Sequence, residues 1–169
     1  MNCKHLAAAA VIGSAVAAVA PMSAAHAAGG TASGTYQFTG ATMPVPRTAG
    51  DHIILDGLSA TVAWTGTFTG TSTLTGRLVL RPIDGGNPLF GTANYQYTDV
   101  FVGTVNGVPG TMTLLEEGQT GRDGIVHSKD VVVSATGGLV GLTGMVKGTG
   151  TVSGPTGPAG TYLGTVSMR

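Results

Sequence analysis

From Thr61 to Thr71 the chain alternates two kinds of side chain: Val62, Trp64 and Phe68 fall on one face, and Thr61, Thr65, Thr67, Thr69 and Thr71 on the other. A period of two belongs to a β-strand with one buried face, because successive side chains of an extended backbone point to opposite sides. Similar Thr- and Gly-spaced segments recur almost to Arg169. Strands of this kind bury their apolar faces only against one another, so the series calls for many antiparallel strands closed around a single core.

Composition removes the competing classes. Only 9% of the residues are charged, while Gly numbers 29 and Thr 25. Disordered chains are rich in charge and poor in β-branched residues, the reverse of this one. The collagen-like run from Gly154 to Gly160 holds two triplets, too few for a triple helix, and reads as a loop.

The first 27 residues are built differently. Lys4 and His5 precede an apolar run from Leu6 to Ala20, and Pro21 to Ala27 ends in Ala25-His26-Ala27. That three-part layout is expected of a secretory signal peptide cut after Ala27, and the apolar run is short for a membrane span. The expected organisation is therefore a cleaved leader at 1–27 and one domain at 28–169, delivered to the medium or the cell envelope, with no membrane span left after cleavage. Cys3 precedes the apolar run, whereas a lipid-modified cysteine would follow it.

Residues 28–169 contain no cysteine, which excludes a disulfide framework, a Cys-based zinc site and a thiol nucleophile. They carry seven Lys and Arg against eight Asp and Glu. A balance near minus one offers no basic patch for nucleic acid.

Turn chemistry divides this segment into about eight strands. They are expected at about 34–39, 59–68, 72–81, 92–105, 110–117, 125–134, 145–153 and 161–168, with a short piece at 52–55. Pro44 to Gly50, Pro82 to Pro88 and the Gly137 to Gly144 bend separate them. Asn106-Gly107 is the signature of a type I′ hairpin turn, in which both central residues need positive φ. The expected class is all-β, a single antiparallel barrel, with a β-sandwich as the alternative.

The order of these motifs resembles a known family. Thr65-Gly66-Thr67-Phe68-Thr69-Gly70-Thr71, Tyr95-x-Tyr97 leading to Asn106-Gly107, Gly110-Thr111-Met112-Thr113-Leu114, and Gly138-Leu139-Val140-Gly141-Leu142-Thr143-Gly144 with Gly148-Thr149-Gly150 look like a family of small bacterial proteins of unknown function with an allene-oxide-cyclase-like barrel. The resemblance covers about residues 59–152. Met112 stands where the family usually has an aromatic residue, and Thr136-Gly137-Gly138 where it has Gly-Thr-Gly. It implies the barrel and brings no established activity.

Inward residues of a small barrel either fill it or line a cavity. Tyr95, Tyr97, Asp99 and Phe101 share one face of their strand, and Met112, Leu114 and Glu116 share one face of the next. Together with Trp64 and Phe68 these nine form the candidate ligand pocket. Asp99 and Glu116 would be desolvated there, as acid-base chemistry requires. The competing reading leaves Glu116 and Glu117 in solvent beside the turn at Gly118, and the aromatic stripe as core.

Of the histidines after residue 27, His52 and His127 stand far apart with no ligand spacing, so no metal is expected. Ser128 and Ser134 lie in no Gly-x-Ser-x-Gly elbow, and the Gly-rich stretches lack a P-loop lysine, so no cofactor is expected. The leading expectation is a barrel that binds a small apolar or amphipathic molecule. A cyclase or isomerase of the allene-oxide-cyclase type and a structural protein with a filled barrel are the alternatives.

Overall fold

The structure, a computed structural model, describes residues 29–82, 91–152 and 157–169. The expected leader at 1–27, the Asp84 to Pro88 cluster and residues 154–156 of the Gly- and Pro-rich run lie outside the described residues.

The described strands are β1 (Gly30–Thr42), β2 (Arg47–Ala49), β3 (His52–Gly66), β4 (Phe68–Pro82), β5 (Gly91–Val105), β6 (Val108–Thr120), β7 (Ile125–Gly137), β8 (Leu142–Val152) and β9 (Pro158–Met168). From β3 to β9 each strand pairs antiparallel with the next. β1 lies between the two ends of this meander, paired with β9 on one side and with β3 on the other. The β1–β3 ladder runs from Gly34 opposite Gly66 to Thr42 opposite Ser59 and closes the sheet. Eight strands therefore make a closed antiparallel barrel, with β2 a short addition beside β3. Closure overturns the sandwich alternative, whose sheets would keep free edges.

Several boundaries differ from those expected. The chain turns at Thr67 rather than near Gly70, so Phe68 opens β4 instead of ending β3. The segment 52–55 is the start of β3, joined to the rest through a bulge at Gly57, whose φ of 84° suits glycine. The expected loop from Pro44 to Gly50 contains β2, and the last residues of the expected bend begin β8. Each barrel strand bonds to two neighbours, and that ladder carries it through glycines that local propensity reads as breaks. Asn106-Gly107 does form the tight turn, with φ of 51° and 81°.

Phe68 and Phe101, both fully buried, meet at the centre of an aromatic cluster. Tyr162 stacks on Phe68 at 5.0 Å, and Trp64 sets an edge against both rings. The Tyr162 hydroxyl accepts the Phe68 backbone N–H at 2.8 Å and donates to the Thr65 carbonyl at 3.1 Å. β9 thereby ties down the β3–β4 turn from inside the barrel.

Tyr162→Phe keeps the ring and leaves the buried Phe68 N–H without its acceptor. The expected loss is about 1–3 kcal/mol of unfolding free energy, measured by urea denaturation; an unchanged midpoint would assign the turn's stability to the ladders alone.

Candidate functional site

Alternation along three adjacent strands builds the site. Tyr95, Tyr97, Asp99 and Phe101 of β5, Met112, Leu114 and Glu116 of β6, and Ser128, Asp130 and Val132 of β7 all point inward. Tyr97, Glu116 and Asp130 stand in register across the three strands, and Asp99 is opposite Leu114, one inward position along from Glu116. Directly opposed residues in antiparallel strands lie about 5 Å apart, so three carboxyl groups share one region of the interior.

All nine residues of the sequence-derived pocket lie in the interior. Trp64, Phe68, Tyr95, Tyr97, Phe101, Met112 and Leu114 all belong to one packed core. Tyr95 and Tyr97, stacked at 5.1 Å, flank the carboxyl group region with Asp99 and Glu116. Of the two successive glutamates, Glu116 points in and is half-buried, whereas Glu117 is exposed and pairs with Lys129 at 3.3 Å. His127 is exposed, and His52 pairs with Asp51 at the surface.

The structure adds Tyr36, Ser72, Ser128 and Asp130, which the sequence reading missed. Val126, Ser128, Asp130 and Val132 alternate along β7, a signal hidden by the run Val131-Val132-Val133, in which Val133 is the extra residue of a bulge. Tyr36 and Ser72 reach the site through pairings of β1 and β4 that no local pattern encodes.

Glycines on the inner face make room for the tyrosines. A Cβ at Gly76 would press on Tyr97, one at Gly118 would collide with Tyr95, and one at Gly150 with the Tyr36 hydroxyl. Tyr95 donates to the His127 carbonyl at 3.3 Å.

The polar contacts are few. Trp64 Nε1 donates to Ser72 Oγ at 2.8 Å, and Ser72 Oγ donates to Asp99 Oδ2 at 2.9 Å. Ser128 Oγ donates to Asp130 Oδ2 at 3.2 Å. Asp99 Oδ1 and the Tyr36 hydroxyl are buried with no hydrogen-bond partner, although Asp99 is only 1% and Tyr36 7% exposed. Buried polar atoms are nearly always paired, so two orphans in one interior stand out.

Every lysine and arginine among the described residues is exposed, which leaves the carboxyl groups without an internal counter-ion. Burial pushes the Asp99 carboxyl up to about 6 against the lowering effect of its Ser72 hydrogen bond. Burial likewise raises Asp130 to about 7, with Ser128 opposing and the Asp99 charge adding. Glu116 is held well above the ordinary carboxylate range by burial and then by Asp130 and Asp99. Although the residue as a whole is partly exposed, burial of its carboxyl group governs the shift. Burial and the nearby Glu116 and Asp130 raise the Tyr36 phenol to about 12.

Among the described residues no three His, Cys, Asp or Glu side chains are placed to hold one metal ion. The arrangement instead offers carboxylic acids that exchange protons near neutral pH beside phenols and an indole. No helix of the described residues is long and apolar enough to cross a membrane.

A family model described as "Protein of unknown function (DUF3224)" matches residues 32–157. No curated protein matches the chain. Among solved structures, the crystal structure of a protein of unknown function from the DUF3224 family of Shewanella oneidensis MR-1 is similar, with a TM-score of 0.58. It is 18% identical, over 83% of this chain and 98% of that one, a likeness that bears on the fold alone.

The buried acids set an unusual pH dependence. Unfolded Asp ionises near 3.8, while the folded protein keeps protons on Asp99 to about 6 and on Asp130 to about 7. Between those values the folded state binds more protons than the unfolded state, so stability falls as pH rises. Asp99 alone corresponds to about 3 kcal/mol across the interval. Thermal unfolding is expected at lower temperature at pH about 8 than at about 5, and Asp130→Asn should flatten the slope; a wild-type profile rising over this range would show the acids to be solvated.

Proposed function

The chain belongs to the DUF3224 family, a bacterial β-barrel family of unknown function, and from that premise we propose that it binds a small amphipathic molecule whose polar end enters the interior beside Asp99, Glu116 and Asp130. The observation that carries this reading is the pair of buried, unpartnered polar atoms, Asp99 Oδ1 and the Tyr36 hydroxyl, in the interior that also holds Glu116 and Asp130. An unsatisfied buried oxygen costs stability, and a ligand's donor removes that cost. The apolar surface for the rest of the ligand comes from the tyrosine faces rather than from the Phe68–Phe101 core, which is already filled.

The leader pattern at 1–27 supports export, to the envelope or the medium. The motif order supports a barrel of the allene-oxide-cyclase-like kind. A second reading, cyclisation or isomerisation of a bound unsaturated molecule, draws on carboxyl groups that titrate near neutrality in an apolar interior, where they can give or take a proton.

Native mass spectrometry of the protein recovered from a secreting host without detergent, compared with the denatured sample, tests the binding reading. A discrete extra mass lost on denaturation is expected, and the denatured mass should correspond to a chain beginning at Ala28. A bare mass from every host would count against a retained ligand, and an intact leader against export. With the ligand identified, Glu116→Gln and Asp99→Asn separate the two readings: turnover lost with binding kept favours the enzyme, and absence of turnover in the unaltered protein removes it.

A further inference from the structure

Deepening the binding reading, on which it rests, we infer that the polar end of the ligand is an organic cation, a protonated amine, held among Asp99, Glu116 and Asp130 and faced by Tyr36, Tyr95 and Tyr97. Three observations converge on it.

The first is charge. Three carboxyl groups come from adjacent strands to one interior in which no described lysine or arginine is buried. The titratable groups of this cluster are Asp99, Tyr95 and Tyr97 from β5, Glu116 from β6, Asp130 from β7 and Tyr36 from β1. β4 adds Ser72, whose hydroxyl donates to Asp99. An acidic set without a counter-ion is complementary to a cation and repels a carboxylate or phosphate head.

The second is the pattern of unmet hydrogen bonds. Asp99 Oδ1, once ionised, can only accept, and the Tyr36 oxygen can accept as well. An ammonium brings three donors and no acceptor, so one head group can serve several of these oxygens. Among the described residues no three His, Cys, Asp or Glu side chains are placed to hold one metal ion, whereas an ammonium needs only two of these oxygens within hydrogen-bond reach.

The third is the aromatic wall. The stacked Tyr95–Tyr97 pair and Tyr36, tilted against Trp64 at 5.9 Å, lie near enough to the acids for the Glu116 charge to act on all three phenols, and aromatic rings attract cations more strongly out of water.

The test compares octylamine, octanol and octanoate, which share a tail and differ in the head, by calorimetry on the protein produced from its full-length chain. Octylamine is expected to bind at least about tenfold more tightly than octanol, with octanoate weakest; a tenfold ratio is a modest preference for one charged pair. Its affinity should rise from pH about 5 to about 8 as the acids ionise while the amine stays protonated, and the binding heat should vary with buffer because protons are released. The double variant Glu116→Gln, Asp130→Asn should lose the preference for octylamine and retain octanol.

Equal binding of amine and alcohol, or a preference that survives in the double variant, would overturn the cation while leaving the binding reading in place. Failure of all three compounds to bind would overturn both. Should the variant fail to fold, the pH dependence and proton release of the unaltered protein decide the matter: affinity flat with pH and no buffer dependence would refute the cation.

Discussion

The ladder between β1 and β3 is the constraint on which the other features rest. Without it the chain would be an open sheet with two free edges, and edges are where unpaired backbone groups recruit foreign strands. The domain expected at 28–169 has no cysteine to supply a covalent staple. Closure also creates an inside. Residues that would be one wet face of an open sheet become enclosed, and the same alternation that makes each strand then decides which side chains lose water.

What that interior contains is uneven. Around Phe68, Phe101 and Trp64 the packing is aromatic and saturated, with Tyr162 bonded to two backbone groups. Around Asp99, Glu116 and Asp130 the same kind of position carries acids, and two buried polar atoms are unpaired. Apolar residues of similar size could fill this region at less cost, since burying a carboxyl group without a partner is unfavourable whether it ionises or keeps its proton. Places where a chain departs from the packing rules it follows elsewhere are candidates for function, and here the departure coincides with the in-register row Tyr97, Glu116 and Asp130.

The inner-face glycines belong to the same design. Gly76, Gly118 and Gly150 leave space that Tyr97, Tyr95 and Tyr36 occupy. Read along the chain these glycines look like punctuation between short strands, but in the barrel they are the recesses into which phenol rings lie. The high glycine content thus serves an interior of large rings within a narrow barrel as much as it serves the turns.

Much of the architecture was legible because it is local. A period of two needs only neighbours along one strand, so the inward face of β5, from Tyr95 to Phe101, could be read directly, and Asn106-Gly107 announces its own turn through its backbone preference. The all-β class, the approximate strand count and the inward faces of β5 and β6 follow from the chain alone, because alternation and turn chemistry act within a few residues. Closure over a sandwich, the turn at Thr67, and the meeting of Tyr36, Ser72 and Asp130 with Asp99 and Glu116 came from the assembled barrel. Those depend on which strands pair and in what register, and register is set by the whole closed ladder, bulges included, rather than by any segment of it.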